Sequence, residues 1–191
     1  SEASDAKMGL PGKDVPWEVR RLNMQDVCMS CHNKVWVENF YVQYDGLIDL
    51  YNEKYAKPGQ ELYALAKPLL NPIQFTNKMD FTWFELWHHE GRRARHGASM
   101  MGPDYTHWHG TYELARNFYA EYIPELKELV EEGLHSEDSI KVQAASRLKD
   151  KIDEVLSSDN HKWALGKMDP EEKERRARAA AEFKARYGGD N

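Results

Sequence analysis

The stretch VENFYVQYDGLIDLYNEKY, residues 37–55, decides the fold. Val37, Tyr41, Tyr44, Ile48, Tyr51 and Tyr55 follow steps of 4, 3, 4, 3 and 4. That spacing places all six on one face of a continuous helix. Lys57-Pro58-Gly59 is expected to end it.

Similar patterns extend in both directions. Residues 1–20, with Gly9, Pro11, Gly12 and Pro16, look like an extended arm. A short helix is expected over roughly 60–70, stopping at Asn71-Pro72. The next runs from about Asn77 to Ala98. Met101-Gly102-Pro103 breaks it, and Asp104 is the expected cap of the succeeding helix. Tyr112, Ala115, Tyr119, Tyr122, Leu126 and Leu129 mark a long helix ended by Gly133, and Pro124 is expected to kink it. Ser136 opens a helix with the stripe Ile140, Ala144, Leu148, Ile152 and Val155. Ser157–Lys167 reads as a connector. Asp169-Pro170-Glu171-Glu172 starts a last, very polar helix. No strand pattern and no repeat is present, so the fold class is all-α.

Composition narrows function. The net charge of −6 lacks the basic balance of a nucleic-acid binder. No run of about 18 apolar residues is present, so no membrane span is expected. Six Trp, ten Tyr and six Phe are crowded mainly between Trp36 and Tyr122. So dense a set packs on something large and flat, forms a large interface, or makes an aromatic core.

Both cysteines of the chain lie in MQDVCMSCHNKVW, residues 24–36. Cys28-Met29-Ser30-Cys31-His32 is the C-x-x-C-H pattern. On a short helical turn its two thiols share a side and can add to the vinyl groups of a haem, and the adjacent histidine reaches the iron as proximal ligand. A redox dithiol usually sits beside a βαβ unit, which is missing here. A zinc site would need two further ligands, and a chance match is the third competitor. The haem c reading implies a periplasmic or other extracytoplasmic compartment. It also implies that the chain, which opens on Ser1, is a mature form whose leader has been removed.

Five further histidines fall within 88–109: His88, His89, His96, His107 and His109. Each is a candidate second ligand, against the bland alternative of a satisfied polar residue. His89 and His96 share a helix face with Arg93 between them; Tyr105 and His109, four apart, point the same way. Arg92, Arg93 and Arg95 are candidates for haem propionates, or a solvated helix face.

The run WHHEGRRARHGASMMGPDYTHWHGTYELARNFY, residues 87–119, resembles the C-terminal part of hydroxylamine-oxidoreductase-like octahaem c-type cytochromes. A looser kinship is to the pentahaem nitrite reductases. The resemblance covers roughly 20–135, and its specific part is Gly97–Arg116. It implies a mostly helical, often trimeric protein acting on small nitrogen compounds such as hydroxylamine, hydrazine or nitrite. It also implies a tyrosine joined covalently to the catalytic haem of a neighbouring subunit. Tyr105 matches that tyrosine, with Tyr112 as the alternative. His109 matches a distal ligand, of a haem on another chain; His96 and His107 are weaker candidates. The family carries eight attachment motifs, whereas this chain has one.

The resulting expectation is an arm over 1–20, a haem c-binding helical module over 21–135 and a partner-docking helical extension over 136–191. One haem is attached here and further haems sit on a multihaem c-type cytochrome partner, in a hetero-oligomer with three-fold symmetry as one arrangement. The rival expectation is a free-standing monohaem electron-transfer protein without catalytic role.

Overall fold

The computed structural model of the chain describes residues 16–187, and every regular element among them is helical. The all-α expectation therefore holds. The chain divides into two compact units, one through Leu47 and one from Ile48 onward.

In the first unit, Pro16 presets the backbone and its carbonyl accepts the Arg20 N–H at 3.1 Å. Helix α1 (Trp17–Met29) comes next, so helix begins inside the stretch predicted to be an arm; residues 1–15 lie outside the described residues. Asn33 Oδ1 accepts the Trp36 N–H at 2.9 Å and starts α2 (Lys34–Tyr51). Arg21 ties the two helices together. Its guanidinium forks onto Asp45 at 2.7 and 2.8 Å and lies over the Trp17 and Tyr41 rings. Within this unit Val37 is buried, and Tyr41 and Tyr44 are half-buried, as the stripe requires.

In the second unit, the predicted stop at Lys57-Pro58-Gly59 does not occur. A π-helical turn (Asn52–Ala56) passes directly into α3 (Lys57–Ala66) and a 3-10 turn (Lys67–Leu69). Lys57 N–H bonds to Asn52 C=O, one residue further back than in an α-helix. The wider turn falls where Pro58 lacks an N–H, so the helix absorbs the proline. Gly59 is there for packing: a Cβ would lie 2.7 Å from the Trp83 ring.

The next helix matches its predicted span, as α4 (Lys78–Phe84), a π turn (Glu85–Glu90) and α5 (Gly91–Ser99). Met101 takes φ 56°, and Gly102 N–H closes onto Gly97 C=O at 2.9 Å. Gly102, not Asp104, occupies the cap position of the succeeding helix, because Pro103 already stands at its first residue. That helix comprises α6 (Pro103–Tyr105), a π turn (Thr106–Tyr112), α7 (Glu113–Asn117), a π turn (Phe118–Tyr122) and α8 (Ile123–Leu134). Pro124 again comes just after a π turn, and the helix runs on past it.

Asp138 caps α9 (Ser139–Ser157) by accepting the Ile140 N–H at 2.8 Å. Its buried face is Ala145, Leu148, Ile152, Val155 and Leu156; Ile140, predicted to lie in this stripe, is 70% exposed because the helix has only just begun there. α9 shares one core with α3 and α8, around Leu62, Leu126 and Leu148. α10 (Pro170–Tyr187) starts at its predicted proline and buries no residue. No helix among the described residues is long and apolar enough to cross a membrane.

The aromatic excess serves two purposes. Tyr51, Tyr55, Phe118 and Tyr122 are core, whereas Phe75, Phe81, Trp87, Tyr105, Trp108 and Tyr112 keep 39–55% of their surface exposed.

Candidate functional site

The cysteine turn forms where α1 ends. Cys31 N–H and His32 N–H both bond to Cys28 C=O, at 3.2 and 3.0 Å. One tight turn thus holds Cys28, Cys31 and His32 together. Both cysteines are free thiols, Cys28 half-buried and Cys31 exposed. The His32 ring is exposed and stacks on Trp36 with centroids 3.8 Å apart. Val27 is 67% exposed and Val35 is 65% exposed, giving the turn an apolar collar. Dithiol oxidoreductase chemistry favours a helix N-terminus, whereas this pair sits at a C-terminus. Two thiols and an imidazole reachable on one turn, with uncovered apolar side chains around them, fit a covalently attached haem.

The second constellation lies wholly in the second unit. His88, His89, Arg92, Arg93, His96 and Tyr105 line one open depression, so residues from α5 and α6 do converge. The convergence depends on a close crossing of α5 with the π turn Thr106–Tyr112. A Cβ on Gly110 would stand 2.6 Å from Ala94 Cα. Gly110 is therefore glycine because Ala94 touches its backbone, and the crossing brings the His109 side of one helix against the Arg93 side of the other.

The consequence is a linked set. His109 Nδ1 lies 3.0 Å from Glu113 Oε1, and Arg93 Nη1 donates to Glu113 Oε2 at 2.9 Å. Burial would raise the Glu113 carboxyl, but His109 and Arg93 outweigh it and hold it below the usual carboxylate range. With Nδ1 engaged, the exposed His109 ring presents Nε2 as its available nitrogen. Histidines that bind metals are commonly oriented this way by a carboxylate on the other nitrogen. The Tyr105 ring packs 5.4 Å from that of His109, and both are exposed.

His96 and His107 are exposed, His107 edge-on to Trp108 at 4.6 Å. His88 stacks on Phe84 at 4.4 Å, and its Nε2 faces Arg92 Nη1 at 3.2 Å. Burial, Arg92 and His89 all favour its neutral form. Among the described residues no three His, Cys, Asp or Glu side chains group tightly enough to hold a metal ion by themselves. Each exposed histidine is thus a single donor presented outward. Tyr112 is exposed and edge-on to Trp108.

Glu113 is the member of the linked set that the sequence reading missed. Its signal was the spacing of four from His109, the same signal that linked Tyr105 to His109. Compared with protein-family models, with curated proteins and with solved structures, the chain matches none.

Proposed function

We propose that this chain is the haem c-bearing subunit of a multihaem oxidoreductase of the hydroxylamine-oxidoreductase type. It would transfer electrons in small nitrogen-compound metabolism in the periplasm or another extracytoplasmic compartment. Cys28 and Cys31 would carry the thioether bonds and His32 the proximal iron bond. A haem so held supplies one-electron redox chemistry.

The observation that carries the reading is the carboxylate-oriented His109 beside exposed Tyr105. A histidine whose Nδ1 is fixed by Glu113, itself fixed by Arg93, is positioned to offer Nε2 to a group outside this chain. A self-sufficient monohaem carrier has no use for such a face. It suits a partner multihaem cytochrome, with His109 as distal ligand and Tyr105 as the residue that meets a catalytic haem. His96, His107 and Tyr112 lie exposed and remain weaker candidates for the same roles.

Denaturing electrophoresis with haem staining and an intact mass tests the attachment. A stained band should disappear in Cys28→Ala and Cys31→Ala, and an unstained band of unmodified mass in the wild type ends the haem c reading. Co-purification tests the assembly. The native extract should yield the chain with a partner bearing about seven C-x-x-C-H motifs; a chain that stays monomeric there supports the free-standing carrier instead.

A further inference from the structure

A separate cleft lies in the second unit, between the helix from Tyr51 to Lys67 and the segment from Phe75 to Arg95. Its volume is about 640 Å³, within the range of roughly 300–1,000 Å³ that small-molecule sites occupy. Six rings line it: Tyr51, Tyr63, Phe75, Trp83, Phe84 and Trp87. The lining contains no His, Cys or Met side chain, so it offers no soft or imidazole donor to a metal.

The two ends of the cleft differ in charge. At the Tyr63 end, Lys67 lies over the Tyr63 ring and the Asp80 carboxylate also lines the cleft. Asp80 is saturated: it accepts from Tyr63 Oη, and from Phe75 N–H and Asn77 Nδ2, each at 2.9 Å. The Tyr51 end is ~18 Å away by the α-helical rise. There Arg95 lies over the Tyr51 ring at 4.9 Å, and its Nε donates to Gly91 C=O at 3.0 Å. Those two contacts hold the side chain in place, and its Nη groups have no hydrogen-bond partner among the described residues. Half-buried and pinned, Arg95 is the cation of the cleft that is held in place, whereas the exposed Lys67 is not. The Trp87 ring, 39% exposed, stands two helical turns before it on the same face.

We propose that this cleft binds a flat conjugated ring system bearing a carboxylate, with the ring on the aromatic lining, the carboxylate on Arg95, and no metal coordination. Flat aromatic faces gain most from a flat partner, and a guanidinium held in place selects a carboxylate by its fork. A free tetrapyrrole and a haem carried by another polypeptide share this chemistry. The inference does not depend on the cysteine turn: failure of haem attachment at Cys28 and Cys31 leaves it standing, and the reverse holds too.

The test uses the full chain with Cys28→Ala and Cys31→Ala, so that no ring attaches at the turn. Metal-free protoporphyrin and zinc protoporphyrin are titrated and followed by porphyrin fluorescence anisotropy. Both should bind one per chain with dissociation constants that agree within about twofold, because no iron or zinc bond is involved. Protoporphyrin dimethyl ester, with no free carboxylate, should bind at least about fivefold weaker, and so should the acid to Arg95→Gln. Trp87→Ala should weaken acid and ester alike. It stands in for Arg95→Gln if circular dichroism finds that variant unfolded. A cyanide-saturated haem peptide assigns the source: equal binding points to a polypeptide-borne haem, exclusion to a free ring. Absence of saturable binding overturns the proposal. So does equal binding of acid and ester, or zinc protoporphyrin binding more than about tenfold tighter than the metal-free ring.

Discussion

His161 is 1% exposed, inside a cage of rings. It stacks on Phe118 with centroids 5.2 Å apart, and its Nδ1 meets the Tyr119 hydroxyl at 2.8 Å. Burial, with a contribution from the Lys54 charge, lowers its pKa to about 4. In the unfolded chain it titrates near 6.5. Between those values the unfolded chain holds a proton that the native chain does not, so stability is complete above pH ~6.5 and falls toward pH 4. The loss is on the order of 3 kcal/mol. His161→Phe keeps the ring and removes the titration, so its urea midpoint should fall less steeply over that window. Parallel slopes for the two proteins would refute the burial argument. Glycine gives a sharper contrast. Gly110→Ala pushes a Cβ against Ala94 backbone and should cost ~1–3 kcal/mol. Gly46→Ala meets nothing within 4 Å in a helix and should gain ~0.5–1 kcal/mol. Thermal melts of the two variants should shift in opposite directions. Single residues were legible where the signal was local. The Cys28-Cys31-His32 spacing and the pairing of Tyr105 with His109 are readable from neighbours on one turn. His161 was not, since Tyr55, Phe118 and Tyr119 reach it only through the tertiary fold.

The helices were legible as stripes and misread at their punctuation. Tyr51 and Tyr55 are buried as the steps of 3 and 4 demand, yet the helix that carries them passes Pro58. The reason is physical. Proline breaks a helix through a missing N–H and a clash with the preceding turn, and a π turn just before it loosens both constraints. The same device precedes Pro124, where Ile123 N–H bonds to Phe118 C=O. Hydrophobic periodicity carries no mark of a one-residue widening. Pro124→Ala should therefore leave helicity unchanged and lower stability by only ~0.4–1 kcal/mol, through the looser unfolded chain. Far-ultraviolet circular dichroism with a urea melt checks both. The loop before α4 behaves oppositely. Phe75 sits at φ 61°, a conformation that costs a non-glycine residue, and Asp80 holds it through the Phe75 N–H. Asp80→Ala strands three donors and should cost ~2–4 kcal/mol, with amide exchange rising first at Phe75 and Asn77.

On the scale of the whole molecule, the described residues separate into parts that hold the fold and parts that face outward. The core runs from Tyr51 to Leu156 and uses α3, α4, α7, α8 and α9. α10 contributes nothing to it. Its cohesion is internal, from pairs such as Glu172 with Arg175 and Arg176, each worth only ~0.2–0.5 kcal/mol. Its few apolar rings, Phe183 and Tyr187, are exposed, and no part of the helix packs on the core. The sequence reads as very polar here, and the stretch expected to dock a partner is the whole of 136–191. Ending the chain after Asp169 keeps the Lys162–Asp169 ion pair at 2.7 Å and removes α10 entirely. The thermal midpoint of that truncation should stay within about 2 °C of the full chain, because no apolar surface is lost from the core. Association with the proposed multihaem partner should fall if α10 docks it, and co-purification from the native extract reads that loss directly. A midpoint drop of more than about 5 °C would mean that α10 packs on the core in solution. Unchanged association would confine docking to the face that carries Tyr105 and His109.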